Sequence, residues 1–333
     1  MKNILIVGLG SIGQRHYRNL KKINKNFNFF SIRKKKNSPE LNKFNQIVKK
    51  KFISSKKKIK EISFKELENQ KIDLALISNP TSLHIKTATE LAKKKINLFL
   101  EKPISNNIKG VNNLLKLIKK NKLICAVGFQ TRYDDLLEKI KKIIITKKYG
   151  NIEKCYIEHK HFLPYHHKYE NYKISYAAKK SLGGGVLLCF SHEFDYANFL
   201  FGSPKYMYSS LKKSKKLKID VESSALIIAK YQKKFEAIFD LDFLKKRQVR
   251  SCKIQFEKAF IKWDLIKNNL EIYRNNEIKL IKSKFQTRDN LFIEQLKQVL
   301  KSLKFKKDPK SNIYNGIENL KNILEIKKIS KFN

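Results

Sequence analysis

Two short stretches of this sequence hold residue types that move protons. Glu101-Lys102-Pro103 follows the apolar run 96–100, and residues 183–202, GGGVLLCFSHEFDYANFLFG, set His192, Glu193 and Asp195 into an apolar segment behind three glycines. An imidazole titrates near neutral pH and takes or returns a hydroxyl proton, while an ammonium group donates to a developing alkoxide. With a hydride carrier, these are the requirements of redox chemistry at a carbinol carbon. A carrier site is present near the N-terminus: Gly8-Leu9-Gly10-Ser11-Ile12-Gly13 follows the apolar run 3–7 and opens a helical pattern that reaches Ile23. In a strand–GxGxxG–helix order, Gly8 makes the tight turn, Gly10 leaves room for a pyrophosphate, and Gly13 lets helix and strand pack closely. The backbone N–H groups at the start of the helix, beside Ser11 and Ile12, then face the phosphates.

The elements that must position these residues alternate along the first part of the chain. Residues 27–32, 72–78, 96–101 and 123–129 read as strands, with helices after Pro80 and from Ser105 to about Lys120. Such alternation predicts a doubly wound parallel sheet, a Rossmann fold, and at the C-terminal edge of such a sheet ligands bind. Lys102 falls at that edge. Beyond it, residues 152–163, 223–231, 235–243, 249–257 and 269–274 are rich in β-branched and aromatic residues with partial alternation, too closely spaced for crossover helices. They predict a largely antiparallel open sheet, and the stretches 288–303 and 311–329 predict terminal helices. The expected organisation is α/β throughout: a dinucleotide-binding domain over 1–128 and an α+β domain for substrate binding and oligomerisation over 129–333.

At the end of the second strand an acidic residue would bond the adenosine ribose of NAD. Here Arg33 is followed by Lys34, Lys35 and Lys36, and no acidic residue occurs before Glu40. The expectation is NADP or NAD as cofactor, with NADP favoured.

Composition limits the alternatives. The chain has 333 residues and a formal charge of +45, from 74 Lys and Arg against 29 Asp and Glu. The lysines are spread through loops and helix faces rather than gathered in a patch, which argues against a specific nucleic-acid surface. Four cysteines, Cys125, Cys155, Cys189 and Cys252, show no CxxC or paired spacing, so neither a zinc site nor a disulfide framework is expected. There is no apolar run of membrane-spanning length and no secretory leader pattern, which predicts a cytoplasmic protein with no metal.

Taken in order, GLGSIGQRH (8–16), SNPTSLH (78–84), EKPIS (101–105), VGFQTRY (127–133) and the 183–202 segment resemble the Gfo/Idh/MocA family of NAD(P)-dependent oxidoreductases. Within it they resemble the branch associated with bacterial surface-sugar and nucleotide-sugar pathways. The resemblance implies a sugar or sugar-nucleotide alcohol or ketone as substrate, a role in surface-glycan biosynthesis, and a homo-oligomer formed through the C-terminal sheet. It places Lys102 beside the substrate hydroxyl and the nicotinamide, and makes His192 the catalytic histidine. Asp195, one turn on, is the candidate to orient substrate or histidine. Asn79, Pro80, His84, Glu101 and Gln130 join Gly8, Gly10, Ser11, Ile12, Gly13, Arg33 and Lys102 as candidate cofactor contacts. Arg132, Tyr172 and Tyr176 join Lys102, His192 and Asp195 as candidate substrate contacts.

One departure from the family is visible: several relatives carry an aspartate one turn before the histidine, where this chain has Leu188 and Cys189. That gap keeps open a non-catalytic, dinucleotide-sensing protein on the same fold. The charge keeps open a basic nucleic-acid-binding protein.

Overall fold

A computed structural model describes residues 2–33, 39–42, 44–48, 59–232, 235–285 and 287–330. Lys34, Lys35 and Lys36 lie outside the described residues. Two compact units are present.

In the first unit, β1 (Asn3–Val7), α1 (Ser11–Ile23), β2 (Asn28–Ile32), β3 (Lys60–Glu61), β4 (Leu74–Ile77), α2 (His84–Lys93), β5 (Asn97–Leu100), α3 (Val111–Lys120) and β6 (Cys125–Val127) succeed one another. The six strands are parallel in the order β3-β2-β1-β4-β5-β6. This is the dinucleotide-binding order, with the chain reversing direction between β1 and β4. Ile4, Ile6, Leu74, Leu76 and Phe99 pack into one core with Tyr17 and Leu20 of α1. The strands are apolar without alternation because both faces of the sheet are buried.

One sequence-based boundary fails here. The helix expected from Ser105 begins at Val111, because Asn107 N–H is held by Ser105 Oγ, Lys109 N–H by Asn107 Oδ1, and Gly110 is left-handed at φ 78°. These local turns compete with helix.

The second unit begins with α4 (Asp135–Ile145), capped by Asp134, whose carboxylate accepts from Leu136 N–H. It continues through β7 (Ile152–Lys160), α5 (Val186–Cys189), α6 (Ser191–Phe201), β8 (Tyr206–Lys212), β9 (Ser224–Lys230), β10 (Glu236–Asp242), β11 (Val249–Phe256), β12 (Ala259–Asp264), β13 (Asn269–Arg274) and β14 (Glu277–Lys282). Two helices, α7 (Arg288–Phe305) and α8 (Ile313–Ile329), complete the chain. The eight-stranded sheet has the order β14-β13-β12-β11-β7-β10-β9-β8, antiparallel except where β10 runs beside β7. Strands β8, β12 and β14 are additions to the five read from sequence. β8 and β14 are edge strands, and β14 is almost wholly exposed, so neither carries the buried alternation that marks a strand.

The chain does not divide at a single point. The first unit comprises Met1–Phe129, Lys168–Glu170 and Phe292–Ile317, and the second Gln130–His167, Asn171–Leu291 and Glu318–Asn333. Leu296 and Val299 of α7 enter the core of the first sheet. Ser311 and Asn312 pair with its last strand: Val127 N–H donates to Ser311 O, while Ser311 Oγ and Gln295 Nε2 donate to Val127 O. The edge of β6 is thereby closed by residues far along the chain.

Candidate functional site

The glycine turn fits a dinucleotide. Gly8 has φ 91°, and a Cβ there would lie 2.8 Å from Asn79 N; one on Gly13 would lie 2.1 Å from Gly8 O. Both positions are filled by the protein's own backbone. Around Gly10 the opposite holds, with nothing within 4 Å of an added Cβ. The space is on the side where α1 begins, with no side-chain cap and no acidic residue in its first turn. Uncapped N–H groups and an open approach are what a pyrophosphate needs. Ser11 and Ile12 supply the first two helical positions. A bound nicotinamide dinucleotide would be held by this turn and would supply the hydride chemistry.

Lys102 lies just beyond β5, between a buried histidine that binds the Glu101 side chain and another that meets the Pro103 carbonyl. His16, fully buried at the end of the glycine motif, puts Nε2 at 2.6 Å from Glu101 Oε1. Burial pushes the Glu101 carboxyl up, but His16 and the neighbouring Lys102 outweigh it and hold its pKa below the ordinary value. Lys102 N–H donates to Glu101 Oε2 at 3.2 Å. On the far side, His84 puts Nδ1 at 2.9 Å from Pro103 O and Nε2 at 2.8 Å from Asn79 O. Burial lowers the His84 pKa, and the two carbonyls pull against that. Asn79 Nδ2 in turn donates to Thr87 Oγ1 at 2.9 Å. Glu101 and His84, read from sequence as cofactor contacts, are thus occupied in holding the Lys102 turn. Asn79 and Pro80 form the turn after β4, at the same edge of the sheet as the glycines. His16 was not singled out in the sequence, although its place in GLGSIGQRH was the available signal.

In the second unit α5 and α6 break at Phe190 (φ −99°, ψ 31°), so the single apolar segment of the sequence is two helices. His192 is buried in the first turn of α6, with Nδ1 at 3.5 Å from Thr131 Oγ1. The place of the absent carboxylate is apolar: Leu188 and Cys189 are both buried. Asp195 faces Arg132, whose Nε lies 3.0 and 2.9 Å from its two oxygens. Burial raises the Asp195 pKa to about 6 even against that guanidinium. Arg132 also stacks over Phe199, 5.3 Å from the ring centroid. Asp195 and Arg132, read as substrate contacts, are therefore a buried pair that ties α6 to the turn Gln130–Tyr133. Gln130 is buried in that turn.

Glu193, on another face of α6, accepts from Arg250 Nε at 2.7 Å and lies 3.0 Å from His159 Nδ1. Its pKa falls to about 2: burial pushes it up, but Arg250 and His159 prevail. The His159 ring stacks on Phe190 at 3.6 Å, and burial holds its pKa down at about 4. Arg250, His159 and Thr131 were missed in the sequence; Thr131 lies within VGFQTRY, the available signal, while Arg250 and His159 carry no local sign.

Two of the three glycines have a packing explanation, and Gly183 is left-handed at φ 83°. A Cβ on Gly184 would lie 2.5 Å from Tyr176 O, and one on Gly185, at φ 105°, would lie 2.2 Å from a Glu222 carboxylate oxygen. The space beside both is filled by this chain itself. Lys327 pairs with Glu222 at 3.1 Å. Tyr172 donates to Leu217 O at 3.2 Å, and Tyr176 is partly exposed near His167. In the first unit Arg33 is bound to Glu61 of β3, with Nε and Nη2 both 2.9 Å from Oε2. Among the described residues all four cysteines are buried and none is in a disulfide, no cluster of metal-ligating residues occurs, and no helix is long and apolar enough to cross a membrane.

Comparison with known proteins agrees with this geometry. Residues 2–129 match the model for the oxidoreductase family, NAD-binding Rossmann fold, and residues 137–262 match the model for the GFO/IDH/MocA C-terminal domain. The chain belongs to the Gfo/Idh/MocA family. Its curated relatives include the uncharacterized oxidoreductase YrbE of Bacillus subtilis, 28% identical over 41% of this chain and 38% of that protein. The myo-inositol 2-dehydrogenase of Thermotoga maritima is 25% identical over 59% of this chain and 54% of that protein. The matched segments thus span between about a third and a half of those relatives. Among solved Gfo/Idh/MocA-like folds, the WlbA dehydrogenase of Bordetella pertussis, in complex with NADH and UDP-GlcNAcA, superposes with a TM-score of 0.79. It is 17% identical, and the match covers 99% of this chain and 96% of that one.

Proposed function

We propose that this protein is an NAD(P)-dependent dehydrogenase of sugar or sugar-nucleotide hydroxyl groups, acting in the cytoplasm in surface-glycan biosynthesis. The observation that carries the reading is the Lys102 turn. Two buried histidines, 68 positions apart in the chain, bind the Glu101 side chain before and the Pro103 carbonyl after one lysine at the ligand edge of a dinucleotide-binding sheet. Orienting a cation in this way is the preorganisation that stabilising an alkoxide demands. In this mechanism Lys102 donates to the carbinol oxygen as negative charge develops there. His192 takes the hydroxyl proton in oxidation and returns it in reduction. The Arg132–Asp195 pair fixes the helix that carries His192, and Thr131 stands at the Nδ1 side of the ring, in the part other family members give to a carboxylate. Inositol and UDP-sugar dehydrogenases among the relatives and fold neighbours support a polyhydroxylated substrate.

Arg33 would take the 2′-phosphate of NADP, and in doing so would give up its bond to Glu61. The open face of the second sheet is the surface for self-association: Tyr208, Ile228, Ile238 and Tyr156 form one cross-strand row on it. The test is turnover of UDP-GlcNAc, UDP-GlcNAcA and the inositols with each nicotinamide nucleotide. His192→Gln is expected to lower kcat by about 100-fold or more while NADH still binds. Turnover unchanged in both His192→Gln and Lys102→Ala would remove the mechanism. A second reading, dinucleotide sensing without turnover, is favoured by the buried Leu188 and Cys189. It predicts NADH binding with no turnover of any of these compounds.

A further inference from the structure

Three residues of the long β7–α5 connection, Lys168–Glu170, belong to the first unit although the residues on either side, His167 and Asn171, belong to the second. One of them, Tyr169, meets the start of the helix after the glycine turn. The phenol of Tyr169 is hydrogen-bonded to the hydroxyl of Ser11, the first residue of α1. The neighbouring Gly10 is open, with nothing within 4 Å of an added Cβ. An aromatic hydroxyl thus stands one residue from the place where the two phosphates of a dinucleotide approach the helix. Tyr169 is half-buried, so the ring is placed by packing rather than extended into solvent.

We infer that Tyr169 is a dinucleotide-binding residue, a strap over the glycine turn whose hydroxyl, with that of Ser11, bonds the pyrophosphate. The chemistry is specific to that ligand part. A phosphate oxygen only accepts, and a pair of hydroxyls can present it with an O–H from either partner. A ribose or base would be reached from other parts of the β1–α1 and β2–β3 edge. The strap also explains why a segment 158 positions beyond Ser11 contributes to the first unit. The GxGxxG motif by itself contains nothing that would reveal it. This inference rests on the nicotinamide-nucleotide reading of the glycine turn.

The experiment is a direct binding titration of NADH, NADPH, ADP-ribose and adenosine, followed by nucleotide fluorescence and calorimetry, on the full-length wild type, Tyr169→Phe, Tyr169→Ala and Ser11→Ala. Wild type is expected to bind NADH and ADP-ribose. Tyr169→Phe, which keeps the ring, is expected to raise the Kd of both by about tenfold, the scale of a hydrogen bond to a charged group. Ser11→Ala should act in the same direction, and adenosine, which has no phosphate, should be unaffected by either substitution. Wild-type protein that binds neither NADH nor NADPH removes the nucleotide reading, and the strap with it. Wild-type binding that survives unchanged in both Tyr169→Phe and Tyr169→Ala removes the strap alone. An equal loss for adenosine and NADH would assign Tyr169 to the fold of the unit rather than to the pyrophosphate, and would also overturn the inference.

Discussion

Buried in the second unit, His159 lies 3.0 Å from Glu193 and stacks on Phe190, with its pKa held at about 4 by burial. The unfolded chain therefore binds a proton at this residue below about 6.5 that the folded chain refuses until about pH 4. Stability is lost as pH falls through that window. Glu193, with its pKa lowered to about 2, acts in the same sense at lower pH: its contribution is complete above 4.5 and is lost as pH falls toward 2. Asp195, raised to about 6, acts oppositely, since the folded state keeps a proton there that the unfolded state releases above 3.8. Burial also lowers the pKa of His166, to about 2, and lowers those of His84 and His161. The histidines together outweigh Asp195, and thermal melts between pH 7 and pH 4 are expected to show a falling Tm. His159→Gln should flatten the fall between 6.5 and 4, and an unchanged slope would remove His159 as its cause. Arg33 offers a second test at the same scale. If Arg33 takes the 2′-phosphate as proposed, its bond to Glu61 would compete, so Glu61→Gln is expected to tighten NADPH by a few-fold relative to NADH, measured by titration.

Among the elements, the glycine turn, the alternating strands of the first sheet and the histidine-bearing segment were legible in the sequence, because each signal is local. Gly8 needs its φ whatever surrounds it, and Ile4 and Ile6 are apolar because both faces of a parallel sheet are covered. What was illegible depends on the third dimension. His16 and Glu101 are 85 positions apart, Thr131 and His192 61, and Glu193 and Arg250 57. No periodicity marks a buried polar residue whose partner arrives from elsewhere in the chain. The break between α5 and α6 has the same character. Gly185 before α5 illustrates the cost of a wrong side chain there: Gly185→Ala meets both φ 105° and the Glu222 carboxylate at 2.2 Å. It is expected to destabilise the second unit by about 2–4 kcal/mol, read as a lower midpoint in urea. A neutral result would mean that Glu222 moves aside at no cost.

Across the whole molecule the charge of +45 acts on every encounter, since a field of that size draws in any polyanion. The lysines form no dedicated surface in the sequence. Binding to duplex DNA is therefore expected to be weak, indifferent to sequence, and gone near physiological salt, as a filter-binding series in rising NaCl would show. Tight binding that persists at 0.15 M salt would restore the nucleic-acid reading. The same attraction would draw in phosphate-bearing molecules, and if the proposed nucleotide sugars are turned over, low salt is expected to lower their KM.

Closure of the β6 edge by Ser311 and Asn312, with Leu296 and Val299 in the first core, bears on how the protein is made. The ribosome releases the glycine turn and all six parallel strands long before it releases the residues that complete their sheet. Until then the nascent chain carries an unpaired strand edge and a core lacking two of its apolar side chains, the condition in which chains associate wrongly. A fragment ending at residue 129 is accordingly expected to aggregate. The same fragment supplied in trans with residues 288–330 should remain dispersed if that edge is the cause.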